Sequence, residues 1–100
     1  MLNAEQAKKI LRNADFFVDN AQSFAAITND NYDGKCVYVS FFDYSADPAQ
    51  HWGTVSVREE GGVYGKEPVL REEIKGAYLL ERLVLRAIEL KADLAEAVGV

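Results

Sequence analysis

Lys35-Cys36-Val37-Tyr38-Val39-Ser40-Phe41-Phe42-Asp43-Tyr44 alternates side chains of two kinds and is dense in β-branched and aromatic residues. That composition and period predict a strand over 35–44. Val37, Val39 and Phe41 fall on one face, and Cys36, Tyr38, Ser40, Phe42 and Tyr44 on the other, because successive strand side chains point to opposite sides. A second alternating run follows at 52–58, with Val55 and Val57 on one side and Trp52, Thr54, Ser56 and Arg58 on the other. Matching the valine faces predicts a hairpin that sets Tyr44 opposite Trp52, Val39 opposite Val57, Phe41 opposite Val55 and Tyr38 opposite Arg58. A slip of one residue would mix the faces. Glu59 to Gly62 reads as a turn, and a short third strand is expected over Val63 to Lys66, limited by Pro68.

Helical patterns flank these strands. Residues 4–27 repeat apolar positions at helical spacing, from Ala7 and Leu11 through Phe17 and Val18 to Phe24 and Ala25. Asn3 with Gln6 makes a capping box at its start, and Asn13 and Asn20 mark places where it can break. Residues 70–97 read as a second long helix, with Leu70, Ile74, Leu80, Val84 and Ile88 on one stripe and Leu79, Leu83 and Leu90 on another. So wide an apolar face belongs to a central helix or to one that meets another chain. Gly76 costs such a helix about 1 kcal/mol relative to Ala. The expected fold class is α+β: one α-β-β-β-α domain over 1–100, a three-stranded antiparallel sheet, and two long helices on its valine face.

Composition narrows the function classes. Among the 100 residues, 49% are hydrophobic and 27% charged, enough apolar surface to drive folding. No window resembles a membrane span, and no basic-then-apolar leader opens the chain. One cysteine forms no internal disulfide, which with the absent leader points to a cytoplasmic setting. The net charge of −5 opposes direct binding to nucleic acid or anionic membranes. That charge is concentrated: Asp15, Asp19, Asp30, Asp33, Asp43 and Asp47 face only Lys35 between residues 13 and 50.

No motif carries catalysis, and no cofactor or metal is implied. Cys36 and His51, the lone cysteine and histidine, fall at opposite ends of the expected hairpin, about 27 Å apart at about 3.4 Å per residue. Asn29, Asn31, Asp33 and Gly34 match the start of a calcium loop, but Ser40 stands where a bidentate Glu is needed. Gly61-Gly62-Val63-Tyr64-Gly65-Lys66 is one residue short of a phosphate loop and lacks the following Ser or Thr. The α-β-β-β-α order resembles that of the double-stranded-RNA-binding domain in topology alone. Arg71-Glu72-Glu73-Ile74-Lys75 is of mixed sign where that family places its phosphate-gripping bases.

The remaining surface feature is the aromatic side of the sheet. Tyr38, Phe42, Tyr44, Trp52 and Tyr64 are the expected contact residues, with Asp30 and Asp33 at one end of the hairpin and Asp43 and Asp47 at the other. Aromatic anchors with a charged rim suit protein recognition. The chain is therefore expected to be a non-catalytic protein-binding module, an inhibitor or adaptor of a larger protein. In size and acidity it resembles, in kind, phage and mobile-element inhibitors such as anti-CRISPR proteins, which implies a basic, nucleic-acid-binding protein as partner. A homodimer through the sheet or the second helix is the alternative, and a small-molecule-binding domain or enzyme is disfavoured.

Overall fold

The computed structural model describes residues 1–59 and 68–99. Its elements are α1 (Ala4–Asn13), β1 (Phe16–Val18), β2 (Ala25–Thr28), β3 (Lys35–Phe42), a 3-10 turn (Pro48–Gln50), β4 (Trp52–Glu59), β5 (Leu70–Lys75) and α2 (Leu79–Ala97). The fold is α+β, with two helices and an antiparallel sheet. The sheet has five strands in the order β1-β2-β3-β4-β5, where three were expected. The strand expected at Val63–Lys66, and the turn beyond Glu59, lie outside the described residues.

Three of the five strands, β1, β2 and β5, come from the segments expected to be helical. α1 begins as expected: Asn3 Oδ1 accepts from the Gln6 amide and Gln6 Oε1 from the Asn3 amide, both at 2.9 Å. It ends at Asn13 because Asp15 adopts a left-handed backbone, with φ 68°. Phe16-Phe17-Val18, poor helix formers with high strand preference, then leave as β1, and Asp19 turns the chain by accepting from the Ala21 and Ala25 amides. The helix expected over 70–97 splits at Gly76, whose φ of 92° no helix interior holds. Residues before it form β5 and those after it form α2.

The β3–β4 hairpin keeps the expected faces but sits two residues from the expected register. Val39 pairs with Val55, Tyr38 with Ser56, Cys36 with Arg58 and Phe42 with Trp52. Alternation fixes only the parity of a register, so the ends decide between choices two residues apart. Here Asp43 leaves the ladder to bond Ser23, through its amide at 3.1 Å and through its carboxylate. Asp47 then caps the 3-10 turn by accepting from the Ala49 amide at 3.0 Å. Tyr44, expected opposite Trp52, consequently lies beyond the strand. Gly53 falls opposite Phe41, where an added Cβ would lie 2.8 Å from the Ser40 carbonyl oxygen and 3.0 Å from Leu83.

Both helices cover the valine face, as expected. Val37, Val39, Phe41, Val55 and Val57 meet Ala7 and Leu11 of α1 and Leu83, Val84, Ala87 and Leu90 of α2 in one core. α2 crosses β3, β4 and β5 and also touches α1. Its wide apolar face is thus that of a central helix, and Leu83, a candidate for contact with another chain, is wholly buried. Arg86 ties α2 to the sheet edge, donating from Nε to both oxygens of Glu72 on β5. Glu72 in turn raises the Arg86 pKa, first through that hydrogen bond.

Candidate functional site

The opposite face of the sheet carries no helix among the described residues. Strand pairing places its side chains in rows. Phe17, Ile27, Tyr38, Ser56 and Arg71 run across all five strands. Ala25, Ser40, Thr54 and Glu73 form the next row, and Phe42, Trp52 and Lys75 the one beyond. Cys36 and Arg58 pair at the other end.

Large side chains rim this face and small hydroxyls floor it. Ser40, Thr54 and Ser56 are buried. Phe42 stacks on Trp52 with ring centroids 4.3 Å apart, and Tyr44 extends the ladder at 6.0 Å from Phe42. Arg58 lies over the Tyr38 ring at 4.9 Å, and its Nε donates to Ser56 Oγ at 3.2 Å. Phe17 and Tyr44 are 63% and 83% exposed, while Tyr38, Phe42 and Trp52 are half-buried. Aromatic surface at a sheet face that carries no helix among the described residues is the usual substance of a docking site.

Of the residues expected here, Tyr38, Phe42, Tyr44 and Trp52 share this face. Tyr64 lies outside the described residues. Asp30 and Asp33 are exposed around the turn that leads into β3, near the end where Lys35 pairs with Glu59. Asp43 and Asp47 lie at the far end and hold the loop there. The Ser23 hydroxyl that bonds Asp43 keeps its carboxyl below the usual carboxylate pKa, despite an opposing effect of burial.

Phe17, Arg71, Glu73 and Lys75 also belong to the face and were read as helical. Their signals were the short β-rich run Phe16-Phe17-Val18 and the alternation from Leu70 to Lys75 ahead of Gly76. At the Trp52 end a pocket of about 330 Å³ is lined by Ala49, Gln50, His51, Trp52, Glu73 and Lys75.

The chemistry-bearing residues lie apart from one another. Cys36 is at the Arg58 end of the hairpin, and burial pushes its thiol pKa up against a smaller lowering by Arg58. His51 is half-buried at the other end, edge-on to Phe41 at 5.9 Å. Its Nε2 lies 2.8 Å from the Ser45 carbonyl oxygen. Asn29 donates to Asp15 and Asn31 accepts from the Gly34 amide, so the calcium-like spacing here builds a turn. Among the described residues no group of three His, Cys, Asp or Glu side chains is placed to hold a metal, and no helix is long and apolar enough to cross a membrane. Compared with protein-family models, curated proteins and solved structures, the chain matches none.

Proposed function

We propose that this chain is a non-catalytic protein-binding module of the inhibitor or adaptor type, which docks its partner on the aromatic face of the sheet. The observation that carries this reading is the exposure of Phe17 and Tyr44 on either side of the half-buried Tyr38, Phe42 and Trp52. Clustered aromatic anchors of this kind supply most of the free energy in protein interfaces, with the rim adding specificity. The separation of Cys36 from His51 supports the non-catalytic part of the reading, because a nucleophile needs its base within hydrogen-bond reach.

Site-specific photo-cross-linking in the native host tests it. A benzophenone side chain is introduced in place of Phe17 or Tyr44 on the face, or of Leu85, which is 58% exposed on α2. A single adduct of defined mass is expected from positions 17 and 44 and absent from 85. Equal adducts at all three positions, or none at 17 and 44, would overturn the assignment of the face.

A further inference from the structure

Among the described residues, the face proposed as the docking surface carries the opposite charge sign to the chain as a whole. Within a molecule of net charge −5, its described charged side chains are Arg58, Arg71 and Lys75 against Glu73 alone. Arg58 is held over Tyr38 and tied to Ser56, so it is already ordered before binding. Arg71 and Lys75 are exposed, and the Arg71–Glu73 pair, at 3.6 Å between exposed groups, is a weak one.

Resting on the protein-binding reading, we infer that the partner presents an acidic patch containing aromatic side chains, and that this patch seats on the Arg58–Arg71–Lys75 side of the face. Guanidinium groups beside aromatic rings favour carboxylates, which they bind through paired hydrogen bonds. Two other occupants fit less well. A second copy laid face to face would set these cations against their own kind. A nucleic-acid strand would have to run on past carboxylates at both ends of the sheet: Asp33 and Glu59 at one, Asp43 and Asp47 at the other. The cationic area spans only about 20 Å of strand, at about 3.4 Å per residue. A compact cluster of carboxylates fits inside that length, whereas a long polyanion does not.

Trp52 is the sole tryptophan and belongs to this face, so its fluorescence reports occupancy. The probes are a short glutamate–tyrosine polymer no longer than the cationic area, a lysine–tyrosine polymer of the same length, and single-stranded oligothymidylate, each titrated at low salt and again at about 0.5 M salt. The glutamate–tyrosine polymer is expected to bind saturably, at least about tenfold more tightly than either other probe, and to weaken at least about tenfold at high salt. The double variant Arg71→Glu, Lys75→Glu should abolish that preference while keeping the wild-type melting temperature. If it does not fold, Arg71→Gln with Lys75→Gln serves the same purpose with a smaller loss of affinity. Preference for the lysine polymer, preference for oligothymidylate, or no response to any probe overturns the inference. Cross-linking at positions 17 and 44 judges the docking face separately, so failure of the charge argument and failure of the face are told apart.

Discussion

Lys8 is 1% exposed among Ala7, Leu11 and Phe24, a place where an apolar side chain would ordinarily sit. Its Nζ donates to Glu5 Oε1 at 3.0 Å and reaches the Asn20 carbonyl at 3.4 Å, after a stem that fills the interior. The whole side chain, amine included, is buried where α1 meets the loop after β1, and its ion-pair partner Glu5 stays in solvent, so an apolar replacement strands no buried carboxylate. Removing the stem should matter more than removing the charge. Lys8→Ala is expected to cost about 2 kcal/mol through the cavity it leaves, and Lys8→Met less than about 1 kcal/mol, both read from urea denaturation. A second residue-scale prediction concerns pH. The Ser23 bond lowers the native pKa of Asp43, so it contributes stability above the unfolded-state pKa of about 4 and loses that contribution as pH falls through the lower native value. Ser23→Ala should therefore destabilise the protein by about 1 kcal/mol or less at neutral pH. The gap in melting temperature from wild type should narrow steadily toward acid pH. A gap that widened on acidification would contradict the assigned sign.

At the scale of elements, Gly53 gives the most direct test of the hairpin. In the observed register an alanine there presses its Cβ onto the Ser40 backbone, which cannot swing away as a flexible side chain could. Gly53→Ala is expected to lower stability by about 1–3 kcal/mol in urea denaturation. In the register expected from the valines alone, Gly53 would not face Phe41 and this constraint would be absent. The hairpin was legible in the sequence because Val37, Val39, Val55 and Val57 keep a strict period of two. Its offset was not, since the contact that decides it, Asp43 leaving the ladder for Ser23, reaches a residue outside the alternating run. The short strands were hidden for another reason. Three or four residues of β1 or β2 lie within a single turn of helical spacing, so Phe17, Val18 and Ala25 fit a helical face as well. The start of α2 offered no signal of its own, because its N-cap is Tyr78 in a left-handed conformation with no capping side chain. Gly76 was the one visible mark, and its positive φ, not a helix interior, is what it provides.

Across the whole molecule, charge and apolar surface are divided by a common logic. Four of the six aspartates between residues 13 and 50 accept bonds that close loops: Asp15 from Asn29, Asp19 from Ala21 and Ala25, Asp43 from Ser23, and Asp47 from Ala49. The acidic middle of the chain therefore largely serves its connections: Asp19 and Asp47 bond backbone amides of their own loops, and Asp15 and Asp43 bond side chains from neighbouring segments. The aromatic face has no such structural debt. Phe41, 4% exposed, packs beneath the sheet against Phe24 at 5.5 Å, whereas Phe17 and Tyr44 project from the aromatic side. The two sides should thus answer differently to loss of an aromatic ring. Phe41→Ala is expected to destabilise by about 3–5 kcal/mol, a large fraction of the about 5–15 kcal/mol that keeps a domain folded. Phe17→Ser with Tyr44→Ser should shift the urea midpoint by less than the equivalent of about 1 kcal/mol, because exposed positions contribute little to folding. If the double serine variant proved as damaging as Phe41→Ala, those rings would be packing residues. A small effect leaves them free for a partner, and makes this variant the folded control in which binding alone is removed.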